Sequence, residues 1–145
     1  MKAGVLYRIS SGLLAIIFVA NTSWLLYFWH AEQGINPVHF PFGHSNLSYA
    51  QVVFGLELFC SFCVLFAAYL SWHLATLART TPQAIGALGW LLLTYQVIGA
   101  LAALFYLSGF AFLVAGAAAI STGWATSLVD STPQIAAVAN GQSQG

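Results

Sequence analysis

Residues 49–77 read YAQVVFGLELFCSFCVLFAAYLSWHLATL, and this stretch decides the fold. It is longer than the roughly 20 mainly apolar residues that a helix needs to cross about 30 Å of hydrocarbon. Its one acidic residue, Glu57, is too little charge to hold the segment in water. We therefore predict a transmembrane helix here, long enough to tilt or to project beyond the bilayer.

Three further apolar runs have the same character, and polar breaks separate them. We predict the corresponding spans at about 6–29, 85–107 and 110–129. Pro82 suits the turn that precedes the third span. Because only Ser108 and Gly109 separate the last two spans, these helices must be antiparallel neighbours.

The composition of the whole chain indicates a protein most of whose surface faces lipid. The 145 residues are 60% apolar and 4% charged, whereas a soluble domain has roughly 25% charged residues. The prediction is an all-α membrane protein, a four-transmembrane-helix antiparallel bundle over 1–129, with a polar tail over 130–145 that lacks helical periodicity. The chain has a formal net charge of zero and only three Lys and Arg residues, too few to bind a phosphate backbone. We therefore exclude nucleic acid as a partner.

The basic residues predict the orientation. Lys2, Arg8 and Arg79 all fall on one side of a membrane that four spans cross, whereas 30–48 contains no Lys or Arg. By the positive-inside rule, both termini are cytoplasmic, and the chain is a multi-pass protein of the inner (cytoplasmic) membrane. The first apolar run continues to Trp29, which is spanning length rather than that of a cleaved signal peptide.

Several polar side chains are predicted within the membrane, and three of them are the candidates for a site. Glu57 is the only acidic residue in the predicted spans and lies roughly 12 Å inside the second helix, so it should be neutral, paired or facing a polar cavity. Asn21 lies at a similar depth in the first helix, and we expect the two to face the bundle interior near each other. With Gln96 they form either a proton- or ligand-coupled site or interhelical hydrogen bonds worth about 1 kcal/mol each.

Cys60 and Cys63 form a C-x-x-C pattern inside ELFCSFCVLF. The spacing is typical of redox and metal motifs. A reactive thiol, however, needs an electropositive and partly exposed setting, and these two have apolar neighbours. We predict that both cysteines are buried and act as small hydrophobic side chains.

The four histidines raise a pigment or metal hypothesis. His30 and His73 lie near opposite ends of their spans, which excludes a haem ligated by both. His30, His39 and His44 belong to the 30–48 connection, but their spacing matches no zinc pattern. The sequence therefore predicts no metal, and the aromatic FPFGHSN segment is expected at the headgroup level. A single His73 could still ligate a pigment supplied by a larger complex.

The last span carries a stripe of small residues. The stripe recurs every four residues, at Ala111, Ala115, Ala119 and Gly123. Small residues at this spacing let helix backbones approach closely in lipid. Two interpretations stay open: internal packing of the bundle, or a surface for a homo-oligomer or a membrane-protein partner.

Three segments carry a resemblance to a known family: YRISSGLLAIIF (7–18), FGHSNLSYAQVVFGLELF (42–59) and SWHLATLARTTPQAIGALGWLL (71–92). The chain resembles small uncharacterised bacterial four-helix integral membrane proteins over most of residues 6–107. Members often have a histidine near the middle of the first helix, where this chain reads FVANTSW. The resemblance implies membrane class and bacterial origin, and supplies no activity or cofactor.

Two functions remain after these observations. The first is a non-catalytic accessory or partner-binding subunit of a membrane complex. The second is a small transporter or binder of hydrophobic molecules that uses the intramembrane acid Glu57. An enzyme ranks third, because the spans contain no convincing nucleophile–base pair or metal triad.

Overall fold

The fold consists of four long helices in the part of the chain that the structure describes. The structure, a computed structural model, describes the backbone of 2–32, 39–42, 45–106 and 109–142, and the side chains of 2–29, 48–82, 84–104 and 111–131. The helices are α1 (Lys2–Glu32), α2 (Tyr49–Thr80), α3 (Gly86–Tyr106) and α4 (Gly109–Gln142). Each is long and apolar enough to cross a membrane, which confirms the all-α four-helix membrane class.

The start of α2 is fixed by a capping box. Ser48 Oγ accepts a hydrogen bond from the Gln51 N–H at 3.2 Å, and Gln51 Oε1 accepts one from the Ser48 N–H at 2.9 Å. These bonds satisfy backbone donors that a helix start leaves unpaired. At the other end, the turn to α3 contains a 3-10 helix over Pro82–Ala84, followed by Gly86 with φ +33°. Glycine adopts this left-handed conformation without steric cost.

A short hairpin precedes α2. Strand β1 (His39–Phe42) pairs antiparallel with β2 (Ser45–Ser48), and His39 lies opposite Ser48. The prediction for this segment was an aromatic connection at the headgroup level, without strands. Pro41 is compatible with β1, because both strands of a two-stranded hairpin are edge strands, where proline is tolerated.

Helix α4 continues beyond its apolar span. The expectation for 130–145 was a polar tail without helical periodicity, but α4 runs on to Gln142. Absence of an apolar stripe does not prevent helical backbone hydrogen bonding. Ala136, Ala137 and Ala139 have the highest helix propensity of any residue type.

The helices pack in the order α2, α1, α4, α3. Helix α1 packs on α2 and α4, and α4 packs on α3, whereas α2 and α3 are scarcely in contact. The bundle is therefore open on the side between α2 and α3. Its core lies in the half that contains the chain termini, where Tyr7, Leu74, Ile85 and Ala125 are buried.

Two glycines make this packing possible. A Cβ at Gly4 would lie 2.9 Å from the Ala75 carbonyl oxygen of α2. A Cβ at Gly89 would lie 2.9 Å from both Tyr7 Oη and Thr126 Oγ1. Any larger residue would push the helices apart, so these positions hold α1 against α2, and α3 against α1 and α4.

Candidate intramembrane binding site

Buried polar side chains connect α1, α3 and α4. Tyr7 Oη lies 2.8 Å from Thr126 Oγ1, and Ser10 Oγ lies 2.8 Å from Thr122 Oγ1. Since the Thr126 hydroxyl donates its proton to the Thr122 carbonyl at 2.9 Å, Tyr7 must be the donor to Thr126. Gln96 Nε2 donates to Ser10 Oγ at 3.2 Å. We call these five residues the polar seam.

One atom of the polar seam has no partner. Gln96 is only 3% exposed, and its Oε1 forms no hydrogen bond. Gln96 also lies on the wall of a cavity. A buried amide oxygen without a donor is unusual in a folded protein, and such a group calls for an explanation.

The cavity has a volume of about 460 Å³ and is lined by residues of all four helices. Its lining is mainly apolar and includes Leu14, Ile17, Leu56, Val64, Tyr95 and Ala103. The space exists because small residues face it where α3 and α4 meet, at Gly99, Ala102, Ala111 and Ala115.

All three intramembrane polar candidates lie on this wall. Glu57 from α2, Asn21 from α1 and Gln96 from α3 line the same cavity. The sequence predicts that Asn21 and Glu57 lie at a similar depth in the membrane. In the structure both residues line this cavity.

The partner of Asn21 is not Glu57. Asn21 Nδ2 donates to Ser61 Oγ at 3.0 Å, and Ser61 is fully buried. Ser61 was not among the predicted residues, although it lies four residues after Glu57 and therefore on the same face of α2. Glu57 is half-buried, and none of the described residues forms a hydrogen bond or an ion pair with it.

A second cavity adjoins Glu57. This space of about 240 Å³ lies between α1 and α2 toward the hairpin, and we call it the aromatic chamber. Five aromatic side chains contribute to its lining: Trp24, Phe28, Trp29, Tyr49 and Phe54. The ring centroids of Trp29 and Phe54 are 4.4 Å apart, as are those of Trp24 and Phe28. Glu57 lines both spaces and therefore lies between them.

The small-residue stripe of α4 faces inward. Ala111 and Ala115 lie on the cavity wall, and Ala119 is 7% exposed. A Cβ at Gly123 would lie 3.4 Å from the Leu93 side chain of α3. The stripe thus lies partly in the packing of the bundle and partly on the wall of its cavity.

The expectation that both cysteines are buried is wrong. Cys60 is exposed, Cys63 is partly exposed, and both thiols are free. Both residues line the cavity, because the open side between α2 and α3 leaves this face of α2 uncovered.

His73 has a local partner on the outer surface of α2. Its Nε2 lies 2.8 Å from Tyr69 Oη, and the two rings meet edge to face at 4.8 Å. The side chains of His30 and His39, and the whole of His44, lie outside the described residues. Among the side chains that are described, no group of three or more His, Cys, Asp or Glu could hold a metal ion.

Comparison of the chain with family models, with characterised proteins and with solved structures gives no match. The fold and the site therefore define the class by themselves. The chain is a multi-pass membrane protein, a four-helix bundle with a largely apolar cavity that opens between α2 and α3.

Proposed function

We propose that this protein binds a small, mainly apolar molecule inside the membrane, in the cavity between α2 and α3. The observation that carries the proposal is a mainly apolar cavity whose wall includes Gln96, a residue with a buried amide oxygen that has no partner. Leaving such a group unsatisfied costs about 1–3 kcal/mol. A ligand with an N–H or O–H group would satisfy it after a turn of the Gln96 amide toward the cavity, because the oxygen is itself buried.

Size and access support the same proposal. The volume of about 460 Å³ lies within the range of roughly 300–1,000 Å³ that small-molecule sites occupy. The weak contact between α2 and α3 leaves the cavity open toward the hydrocarbon, where an apolar molecule concentrates. A ligand could therefore enter from the lipid without crossing the aqueous phase.

The test uses a fluorescent apolar amine, N-phenylnaphthylamine, and the protein in lipid nanodiscs. Energy transfer from the tryptophans to this probe should saturate, and the N-methylated probe, which lacks the N–H, should bind more weakly. A Cβ at Gly99 meets no atom within 4 Å, so Gly99→Leu should fill the cavity and abolish saturation. Gly12 on α1 has the same open surroundings but does not line the cavity, so Gly12→Leu is the matched control.

Transfer that rises linearly with the probe, and equally in all three proteins, would mean simple partition into lipid. That outcome would overturn the proposal. Saturation that survives Gly99→Leu would place the probe elsewhere on the protein and would also overturn it.

A partner-binding subunit is the second candidate. Its support is the same open side, where Gly99, Ala102 and Ala103 present little bulk and would admit the backbone of a helix from another chain. A stoichiometric protein that copurifies in mild detergent, and is lost in Gly99→Leu but not in Gly12→Leu, would favour this function. If the same preparations also show no saturable probe binding, the protein is a partner-binding subunit and not a binder of small molecules.

We further propose that both termini are cytoplasmic, that the membrane is a bacterial inner membrane, and that the chain belongs with the small four-helix proteins it resembles. The orientation rests on Lys2, Arg8 and Arg79. The Arg79 side chain lies beside Gly4, since a Cβ there would be 3.2 Å from its Nε. The basic residues therefore gather at one end of the bundle.

A further inference from the structure

Glu57 lines two spaces of different chemistry. The larger cavity is mainly aliphatic, whereas the aromatic chamber is lined, among the described side chains, by five aromatic residues and by Glu57 as the one charged group. A molecule that occupied both spaces would pass the Glu57 carboxyl group at the boundary between them.

The aromatic chamber suits a positively charged group. The face of an aromatic ring carries negative potential, and such faces bind organic cations, quaternary ammonium groups above all. A carboxylate beside the rings adds a direct charge interaction, which is stronger away from bulk water.

No described basic side chain competes for this position. Arg8 lies over the Trp72 ring at 5.0 Å, and Arg79 lies beside Gly4, both at the opposite end of the bundle. Lys2 is at the start of α1, at that same end. Among the described residues, Glu57 therefore has no cation of its own.

We propose that the ligand is an organic cation with an apolar body. Its cationic group lies in the aromatic chamber beside Glu57, and its body extends into the larger cavity. The inference rests on the proposed function and names the chemical class of the ligand. Aromatic faces together with one acid recognise the cationic group, while the aliphatic wall accepts the body.

The test compares two probes of nearly equal shape. Benzyltrimethylammonium carries a charge, and neopentylbenzene is its neutral isostere. Titration of the protein in nanodiscs, followed by tryptophan fluorescence, should give an affinity for the cation about tenfold or more above that of the isostere.

Three variants locate the cation. Glu57→Gln keeps the shape of the side chain and should weaken cation binding about tenfold while leaving the isostere unchanged. Trp29→Leu should also weaken the cation selectively. Trp124 is 62% exposed on α4 and does not line the chamber, so Trp124→Leu should change neither affinity. Retained binding of the neutral probe shows that each variant is folded.

Equal affinity for both probes, or cation binding that is unchanged in Glu57→Gln, would overturn this inference while leaving an apolar site in place. If neither of these probes nor N-phenylnaphthylamine binds saturably, the proposed function itself fails. The two failures are therefore distinguishable in one set of titrations.

Discussion

The hydroxyl of Tyr7 in α1 donates a hydrogen bond to Thr126 Oγ1 in α4 over 2.8 Å, across 119 positions of sequence. Both side chains are fully buried. The bond joins the first span to the last, and it is flanked by Gly89, where α3 comes closest to both residues.

Tyr7→Phe should lower the free energy of unfolding by about 1 kcal/mol, because it removes an interhelical hydrogen bond inside the membrane. Unfolding in mixed micelles with increasing denaturing detergent measures the change. Tyr27 is 70% exposed, so Tyr27→Phe is the control and should have no effect. Equal effects of the two changes would contradict a structural role for the Tyr7 hydroxyl.

Gly89→Ala should destabilise the bundle by about 1–3 kcal/mol, as over-packing of a tight contact does. The added Cβ would meet Tyr7 Oη and Thr126 Oγ1 at 2.9 Å. Gly12→Ala has open space around it and should be neutral or stabilising, since alanine favours the helix by about 0.5–1 kcal/mol. The same unfolding assay tests both, and a stable Gly89→Ala would mean that α3 packs less closely than described.

Two neighbouring positions of the α4 stripe should respond differently to leucine. Ala119 is 7% exposed, so Ala119→Leu should destabilise the protein by about 1–3 kcal/mol through over-packing. Ala115 faces the cavity, so Ala115→Leu should fold and reduce probe binding. Size-exclusion chromatography in mild detergent separates these results from loss of an oligomer. If both variants fold but change only the oligomeric state, the stripe is an outer surface after all.

Gln96→Leu should separate stability from binding. The change loses the hydrogen bond to Ser10 but also removes a buried unpartnered oxygen, so the free energy of unfolding should change by less than about 1 kcal/mol. Binding of the N–H probe should weaken to the level of its N-methylated form. Thr94→Val is the control, because that hydroxyl bonds the Trp90 carbonyl of its own helix at 2.9 Å. Undiminished probe binding in Gln96→Leu would remove this residue from the site.

Cysteine labelling should establish the orientation. In a background of Cys60→Ala and Cys63→Ala, a cysteine at Asn36 should react with an impermeant maleimide in intact cells. A cysteine at Gln142 should react only after the membrane is opened. Both outcomes follow from the positive-inside rule, because Lys2, Arg8 and Arg79 lie at the end of the bundle where α1 begins. The reverse labelling pattern would mean that the opposite topology is correct.

Length and hydropathy sufficed to predict the four spans, because crossing a bilayer depends on local composition alone. The expected turn at Pro82 and the start of α2 after Ser48 also have local causes, namely a fixed proline φ and a side-chain cap. Each of these features depends on residues that are close together in the sequence, so each can be predicted from the sequence.

The side of each helix that faces inward could not be predicted in the same way. The spans are apolar all round, so no contrast between an apolar and a polar face marks the core side as it does in a soluble protein. Depth therefore placed Asn21 near Glu57, but the rotation of α1 gives it Ser61 as a partner instead. The predicted burial of Cys60 was wrong for a related reason, because the gap between α2 and α3 is a property of the whole bundle.

Part of the site was accessible to sequence reasoning. Glu57, Asn21 and Gln96 were selected because polar groups are rare in spans, and they line one cavity. Tyr7, Ser10 and Thr126 of the polar seam were overlooked. For Ser10 and Thr126 the signal is weak, since a Ser or Thr hydroxyl can also bond a carbonyl of its own helix. Their spacing of three or four residues from Thr122 or from each other was the available clue.

The pairing of α1 with α4 has a consequence for synthesis. Tyr7 and Ser10 enter the membrane first, but their partners Thr126 and Thr122 are translated more than a hundred residues later. Until the ribosome has delivered the last helix, these hydroxyls are without those partners in hydrocarbon. A chain that lacks α4 therefore differs from the complete bundle in having these α1 hydroxyls without their α4 partners.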